Sequence, residues 1–415
     1  MLHLPTLILQ IATIIIVARL FGWLFRHLHQ PQVVGEMIAG IALGPSLLGW
    51  LAPSVSTALF PNESLVALNS ISQIGILLFL FLIGLELNLS ILRKVGHSAV
   101  VTSLTSVIAP FILGFGLAFF LHSRLLPDDD VHIVHFSIFI GAAMSVTAFP
   151  VLARILIERK LFHTRIGTIA IASAAVDDVM AWSFLAISIL LVRGKGIGAH
   201  LVGTFAGLLV YLALMFFIVR PMLRKLETLY KKHGEITQGM LAVVLLLLLA
   251  SALITEWIGV HALFGAFVAG AIMPKGENFD KSLSEKFEDL TVVFFLPIFF
   301  AFTGLKASIG LLNGANLWGY CLLIIITAIV GKLGSAMLAA RATGMPWREA
   351  AAVGFLLNTR GLMELVILTI GLEAGIISPT VFTMMVLMAL VTTAITTPLL
   401  QLFYHPSKEQ QSAPG

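Results

Sequence analysis

Asp177 and Asp178 stand side by side in a run that is otherwise small and apolar, with Ala172-Ser173-Ala174-Ala175-Val176 before them and Val179-Met180-Ala181-Trp182 after. In a low-dielectric setting two neighbouring carboxylates cannot both carry charge cheaply, so one of them holds a proton or a cation. A site in that condition binds a proton or a hard monovalent cation at neutral pH, but not both at once. Such competition is the basis of exchange. Consecutive helical residues point about 100° apart, so one aspartate faces an ion path while the other faces a neighbouring helix. Lys332, inside the apolar run Ile329-Val330-Gly331-Lys332-Leu333-Gly334, is the basic partner expected at Asp177. The bland alternative is a static ion pair that holds two helices together.

Two further stretches put polar groups and helix breakers into apolar runs: Ser145-Val146-Thr147-Ala148-Phe149-Pro150 and Asn358-Thr359-Arg360-Gly361. Pro150 removes a backbone donor and Gly361 supplies backbone freedom, so a break is expected in each. Ser145, Thr147, Asn358 and Thr359 offer oxygen ligands, or else simple helix-to-helix hydrogen bonds. Arg360 and Glu364 have the i, i+4 spacing of a self-contained ion pair. Glu36, Glu86 and Lys306 lie near the ends of apolar runs, where they reach the interface or form supporting ion pairs. The one cysteine, Cys321, sits in an apolar run and excludes a disulfide framework. No phosphate loop, dinucleotide glycine fingerprint or cysteine-histidine spacing is present, so no cofactor is expected.

The elements that must position these residues are helices in a bilayer. The 415 residues are 59% hydrophobic and 11% charged, with a mean hydropathy of +1.02. Average soluble chains carry roughly 25% charged residues. At about 20 apolar residues per crossing the chain divides into about thirteen spans, all-α and polytopic. The first, Leu7 to Leu24, lacks a small-residue cleavage site and is expected to be retained. Of the 25 Lys and Arg, eighteen fall in one set of loops, and only Arg124, Arg193 and Lys195 in the other. Positive loops face the cytoplasm, which puts the N-terminus outside and the C-terminus inside a cell membrane. Dispersed in this way, the net charge of +4 marks topology, and no nucleic acid partner is expected.

The sequence also repeats itself seven spans apart. Gly84-Leu85-Glu86 matches Gly304-Leu305-Lys306, Ala39-Gly40 with Pro45 matches Ala269-Gly270 with Pro274, and the two polar breaks correspond. An odd offset makes the copies opposite in sense. Inverted repeats with interrupted helices at matching positions point to a secondary transporter's site.

The stretches Ser145 to Arg154, Ala174-Ala175-Val176-Asp177-Asp178 and Asn358 to Leu365 resemble the monovalent cation/proton antiporter-2 family, as do Gly35 to Gly40 and Gly84-Leu85-Glu86. The likeness covers nearly the whole chain and is greatest to plant cation/proton exchangers and their bacterial relatives. It implies a dimer, with a dimerisation domain in 1–96 and 236–315, a mobile core in 97–192 and 316–405, a linking helix and loop in 193–235 and a tail at 406–415. It implies two crossed, unwound helices, cation and proton binding at Asp178 with Asp177 as neighbour, and Lys332 as charge partner. Two aspartates with that lysine resemble the electrogenic members of the family. The ten residues after the last span speak against the gating domain that glutathione-regulated potassium efflux systems carry. The expectation is antiport of Na+ or K+ against protons. A passive channel and an intramembrane aspartyl hydrolase are the rivals. The hydrolase needs carboxylates converging from different helices, and adjacent aspartates diverge.

Overall fold

The computed structural model describes residues 4–28, 30–86, 97–126, 131–159, 161, 164–174, 176–177, 180, 199–276 and 278–404. Among them every regular element is helical. The helices of eight or more residues are α1 (Leu4–His27), α2 (Gln32–Leu43), α3 (Asn62–Glu86), α4 (His97–Leu125), α5 (Ile133–Ser145), α6 (Phe149–Glu158) and α7 (Arg165–Ala174). Helices α8 (Ala199–Leu214), α9 (Arg220–His233), α10 (Gln238–Ile258), α11 (Ala262–Ala271), α12 (Phe279–Leu290) and α13 (Leu296–Lys306) come next. The last are α14 (Ala315–Ile329), α15 (Ser335–Ala342), α16 (Trp347–Leu357), α17 (Leu362–Glu373) and α18 (Pro379–Phe403).

Nine of the described helical rods are long and apolar enough to cross a membrane, and α5, α7 and α11 are shorter apolar helices. Burial runs opposite to that of a water-soluble protein. Phe217 is 80% exposed and Trp257 77%, while Lys332, Arg360 and Glu364 are 0% exposed. Hydrocarbon, not water, is the solvent such a surface fits.

Two expected spans prove to be parts of longer rods. The span expected to end near 222 runs on through α9 to Gly234, whose φ of 76° stops it. The span expected at 290–308 lies within one rod of 33 residues, Phe279–Leu311, because the join between α12 and α13 is a single π turn, Thr291–Phe295. Two others are broken where expected. Helix α5 ends at Ser145 and Val146 turns extended, with φ −71° and ψ 141°. Pro150 is therefore not in the break itself; it falls in the first turn of α6, where its missing N–H costs least. Helices α16 and α17 are separated by 358–361.

The chain forms two compact units, one of residues 1–15, 60–90 and 189–302, the other of 16–59, 91–188 and 303–415. The matched glycines acquire a physical meaning inside each unit. In the first, a Cβ on Gly84 would lie 2.1 Å from the Phe267 carbonyl oxygen, and one on Gly270 2.0 Å from that of Phe81. In the second, a Cβ on Gly304 would lie 2.1 Å from the Gly40 carbonyl carbon. Each Gly-Leu segment of one copy thus rests on the Ala-Gly segment of the other, at backbone distance, in the manner of small-residue crossings in membranes. An apolar cluster including Leu152, Leu156, Ile166, Ala170, Leu356 and Leu357 packs α6, α7 and α16 within the second unit.

Gly304→Ala is expected to destabilise by about 1–3 kcal/mol, because the new methyl meets backbone that has nowhere to go. Gly319→Ala, where a Cβ meets nothing within 4 Å, is the control and should leave the melting temperature of the detergent-solubilised protein unchanged or higher. Equal melting temperatures for the two variants would contradict the close crossing.

Candidate functional site

The site is assembled from the two chain breaks. Where α5 stops, the carbonyls of its last turn lose their helical donors. Three of them are taken up by buried cations from other elements. Arg360 donates through Nη1 to the Ala143 oxygen at 3.0 Å and through Nη2 to the Met144 oxygen. Lys332 Nζ donates to the Ser145 oxygen. The second break closes on the first: the Ala148 N–H donates to the Thr359 carbonyl at 3.0 Å, so the two unwound segments cross and share a backbone hydrogen bond. Thr393 on α18 clamps the crossing, with its hydroxyl donating to the Arg360 carbonyl at 2.7 Å and accepting from the Arg360 N–H at 2.9 Å.

Asp177, 1% exposed, receives Lys332 at 2.6 Å on Oδ2. Thr147 Oγ1 lies 2.6 Å from the same oxygen and 3.0 Å from the Leu357 carbonyl. A hydroxyl has one proton, so Thr147 donates to one or the other, joining the aspartate to the end of α16. Ser106 Oγ approaches Oδ1 at 3.4 Å and donates to the Ser103 carbonyl at 2.8 Å. Lys332 itself sits in a π turn, Val330–Gly334, between α14 and α15. Such turns insert a residue into a helix and re-aim the side chains beyond it, often at functional sites. Arg360 Nη1 lies 3.3 Å from Glu364 Oε2, so two basic and two acidic groups are buried together. Glu364 also occupies the first turn of α17, where a negative charge complements the helix dipole.

The candidate residues separate accordingly. Asp177, Lys332, Ser145 and Thr147 come together, with Ser145 acting through its carbonyl while its hydroxyl donates to Ala142. Asp178 lies outside the described residues, as does the side chain of Pro150. Asn358 donates to the Thr392 carbonyl at 3.3 Å, and its Oδ1 has no hydrogen bond among the described residues. Thr359 donates its hydroxyl to the Leu356 carbonyl. Glu36 is buried at 4% exposure and accepts from Gln32 at 2.8 Å. Lys306 pairs with Glu373 at 2.7 Å. Glu86 interacts with Lys275, which also donates to the Gly84 carbonyl at 3.4 Å. These last three belong to other neighbourhoods. Ser106 and Thr393 were not among the expected residues. Their signal is present, in polar residues three and four apart on apolar helices, but it does not say which backbone they serve.

With the geometry in place, the chain can be set beside known proteins. Residues 14–403 match the family described as sodium/hydrogen exchanger, transmembrane. The chain is 45% identical over 403 residues to the Na(+)/H(+) antiporter NhaS4 of Synechocystis sp., covering 96% of this chain and 98% of that one. It is 40% identical to cation/H(+) antiporter 17 of Arabidopsis thaliana, over 99% of this chain and 50% of that protein. It is 38% identical to K(+)/H(+) antiporter 1 of Saccharomyces cerevisiae, over 96% and 46%. The chain therefore spans about half the length of the plant and yeast relatives and nearly all of the cyanobacterial one. Its fold is similar to the solved structure of the sodium proton antiporter MjNhaP1 from Methanocaldococcus jannaschii, with a TM-score of 0.65 over 96% of both chains at 16% identity.

Removing one member of a fully buried ion pair leaves the other uncompensated, at about 3–5 kcal/mol. Lys332→Met is expected to lower thermal stability by that order, and adding Asp177→Asn should restore part of the loss. Additive losses in the double variant would show that the pair is not coupled.

Proposed function

The chain belongs to the sodium/hydrogen exchanger family of secondary cation/proton antiporters, and from that premise we propose how its residues divide the work. Its activity is transport, with no covalent change to the cargo. The cargo is a monovalent cation, Na+ or K+, exchanged for protons. The observation that carries the reading is the buried Asp177 to Lys332 pair set against the crossing of two broken helices.

Asp178 binds the cation or a proton and Asp177, beside it, exchanges Lys332 for a proton. With the carboxylate charged, the ammonium compensates it. With the carboxylate protonated, the ammonium keeps its two carbonyl acceptors and the charge of the site changes by one. Two carboxylates taking protons against one cation make the exchange electrogenic, two protons per cation. Every contact described at the site lies inside one compact unit, so alternating access carries the site as one body without breaking it. The protein works in a cell membrane as a homodimer, with residues 97–192 and 316–405 as the mobile core. Its basic loops are cytoplasmic and its N-terminus is outside.

Cation-driven proton movement in proteoliposomes tests the assignment, comparing Na+, K+ and Li+. Exchange is expected for the wild type and should fall to the protein-free level in Asp178→Asn. Exchange that survives that substitution undiminished sinks the site. Wild-type exchange should carry current and Asp177→Asn exchange should not; a current-free wild type would overturn the two-proton stoichiometry. Orientation is read separately. A cysteine introduced at Lys231 should be labelled by an impermeant reagent from the cytoplasmic face only, and one at Arg124 from the opposite face only.

A further inference from the structure

Helix α4 runs unbroken from His97 to Leu125 with Pro110 inside it. In an α-helix the N–H of residue i bonds the carbonyl of residue i−4, and proline has no N–H to give. The carbonyl left without its helical donor is that of Ser106. In an apolar interior an unpaired carbonyl is costly and must find another donor. It finds Lys332, whose Nζ lies 2.9 Å from the Ser106 oxygen.

We propose that Pro110 is a positioning residue for the exchange: by emptying the Ser106 carbonyl it creates the acceptor that holds Lys332 at Asp177. The proposal rests on the exchange role given above to that pair. An ammonium has three N–H bonds. Among the described residues Lys332 meets the Ser106 carbonyl, the Ser145 carbonyl and Asp177 Oδ2. Both carbonyls are freed by interruptions in their own helices, one by a proline and one by a chain break. Neither can titrate. The lysine is therefore held in place through the part of the cycle in which Asp177 carries a proton, and the pair re-forms without a search.

The contact between the two helices supports the same account. A Cβ on Gly331 would lie 3.1 Å from Pro110 Cα and 3.3 Å from its Cβ, so the π turn that presents Lys332 rides directly on the proline. Among the described residues, Asp177 and, at electrostatic range, Glu364 on α17 are the charged groups placed beside Lys332. Helix α4 presents only neutral groups there, Ser103, Ser106 and Pro110.

Pro110→Ala supplies an N–H at position 110, gives Ser106 its helical donor and takes that acceptor from Lys332. Any other residue at 110 does the same, so Pro110→Val should behave alike despite its bulk. The test is the pH profile of cation-driven proton exchange in proteoliposomes. Weakening one charge-assisted hydrogen bond should displace the alkaline limb by about one unit, with the maximal rate retained. In a Lys332→Gln background Pro110→Ala should cause no further displacement. A melting series on the same four proteins provides a second reading, in which the two substitutions should be non-additive. Unmoved profiles in both Pro110 variants, or the same displacement with and without Lys332, would overturn the proposal, as would additive melting shifts. Failure of the exchange reading looks different: Lys332→Gln would then transport as the wild type does, while the melting series still reports on positioning.

Discussion

The carbonyls at the end of α5 set the conditions that the rest of the site meets. A helix that stops inside a membrane exposes oxygens that water would solvate elsewhere, and within hydrocarbon only protein groups can replace it. Arg360 takes Ala143 and Met144, and Lys332 takes Ser145. Each cation, once buried, requires an anion: Glu364 stands by Arg360 and Asp177 by Lys332. The break in one helix thus accounts for four charges in a region where each costs roughly 2.5–3.5 kcal/mol on insertion scales. Removing any of them leaves an unpaired charge or an orphaned carbonyl.

The two copies of the repeat meet this demand differently. At the end of α16 the carbonyls meet neutral groups, with Thr147 Oγ1 within reach of Leu357 and the Thr359 hydroxyl donating to Leu356. At the end of α5 they are served by charges. An inverted repeat supplies a symmetric scaffold, visible in the Gly84 with Gly270 and Gly304 with Gly40 crossings. The chemistry sits in the departure from that symmetry. A site lined alike from both copies would have no reason to single out one carboxylate; here Lys332, Thr147 and Ser106 all converge on Asp177.

How much of this the sequence discloses depends on the kind of interaction. Asp177, Lys332, Arg360 and Glu364 are legible because a charge in an apolar run is costly and so calls for an explanation. The breaks at 146–148 and 358–361 are legible from their residue types, although Pro150 marks the start of α6 and not the gap before it. The matched glycines are legible as a repeat, but that Gly84 rests on Gly270 and not on Gly304 is a fact of packing. Ser106 and Pro110 are hidden for a more basic reason. Proline's effect is exerted four residues upstream on a backbone oxygen, and nothing along the chain says that a lysine more than 200 positions away will claim it.

The basic residues outside the loops lead to the exchange itself. Four of them fall inside the apolar runs of the sequence, Arg19, Lys306, Lys332 and Arg360. Three are in ion pairs, Lys306 with Glu373, Lys332 with Asp177 and Arg360 with Glu364. Arg19 belongs to α1, which exposes Leu20, Trp23 and Leu24 and buries Gln10, Ile14 and Ala18. The acidic residue at 178 is the second carboxylate of the pair, and the ion pairs just described engage Asp177, Glu364 and Glu373. A carboxylate buried in hydrocarbon needs a compensating positive charge. On the exchange reading a proton supplies it in one half of the cycle and Na+ or K+ in the other, and the obligation to compensate Asp178 is what couples the two fluxes.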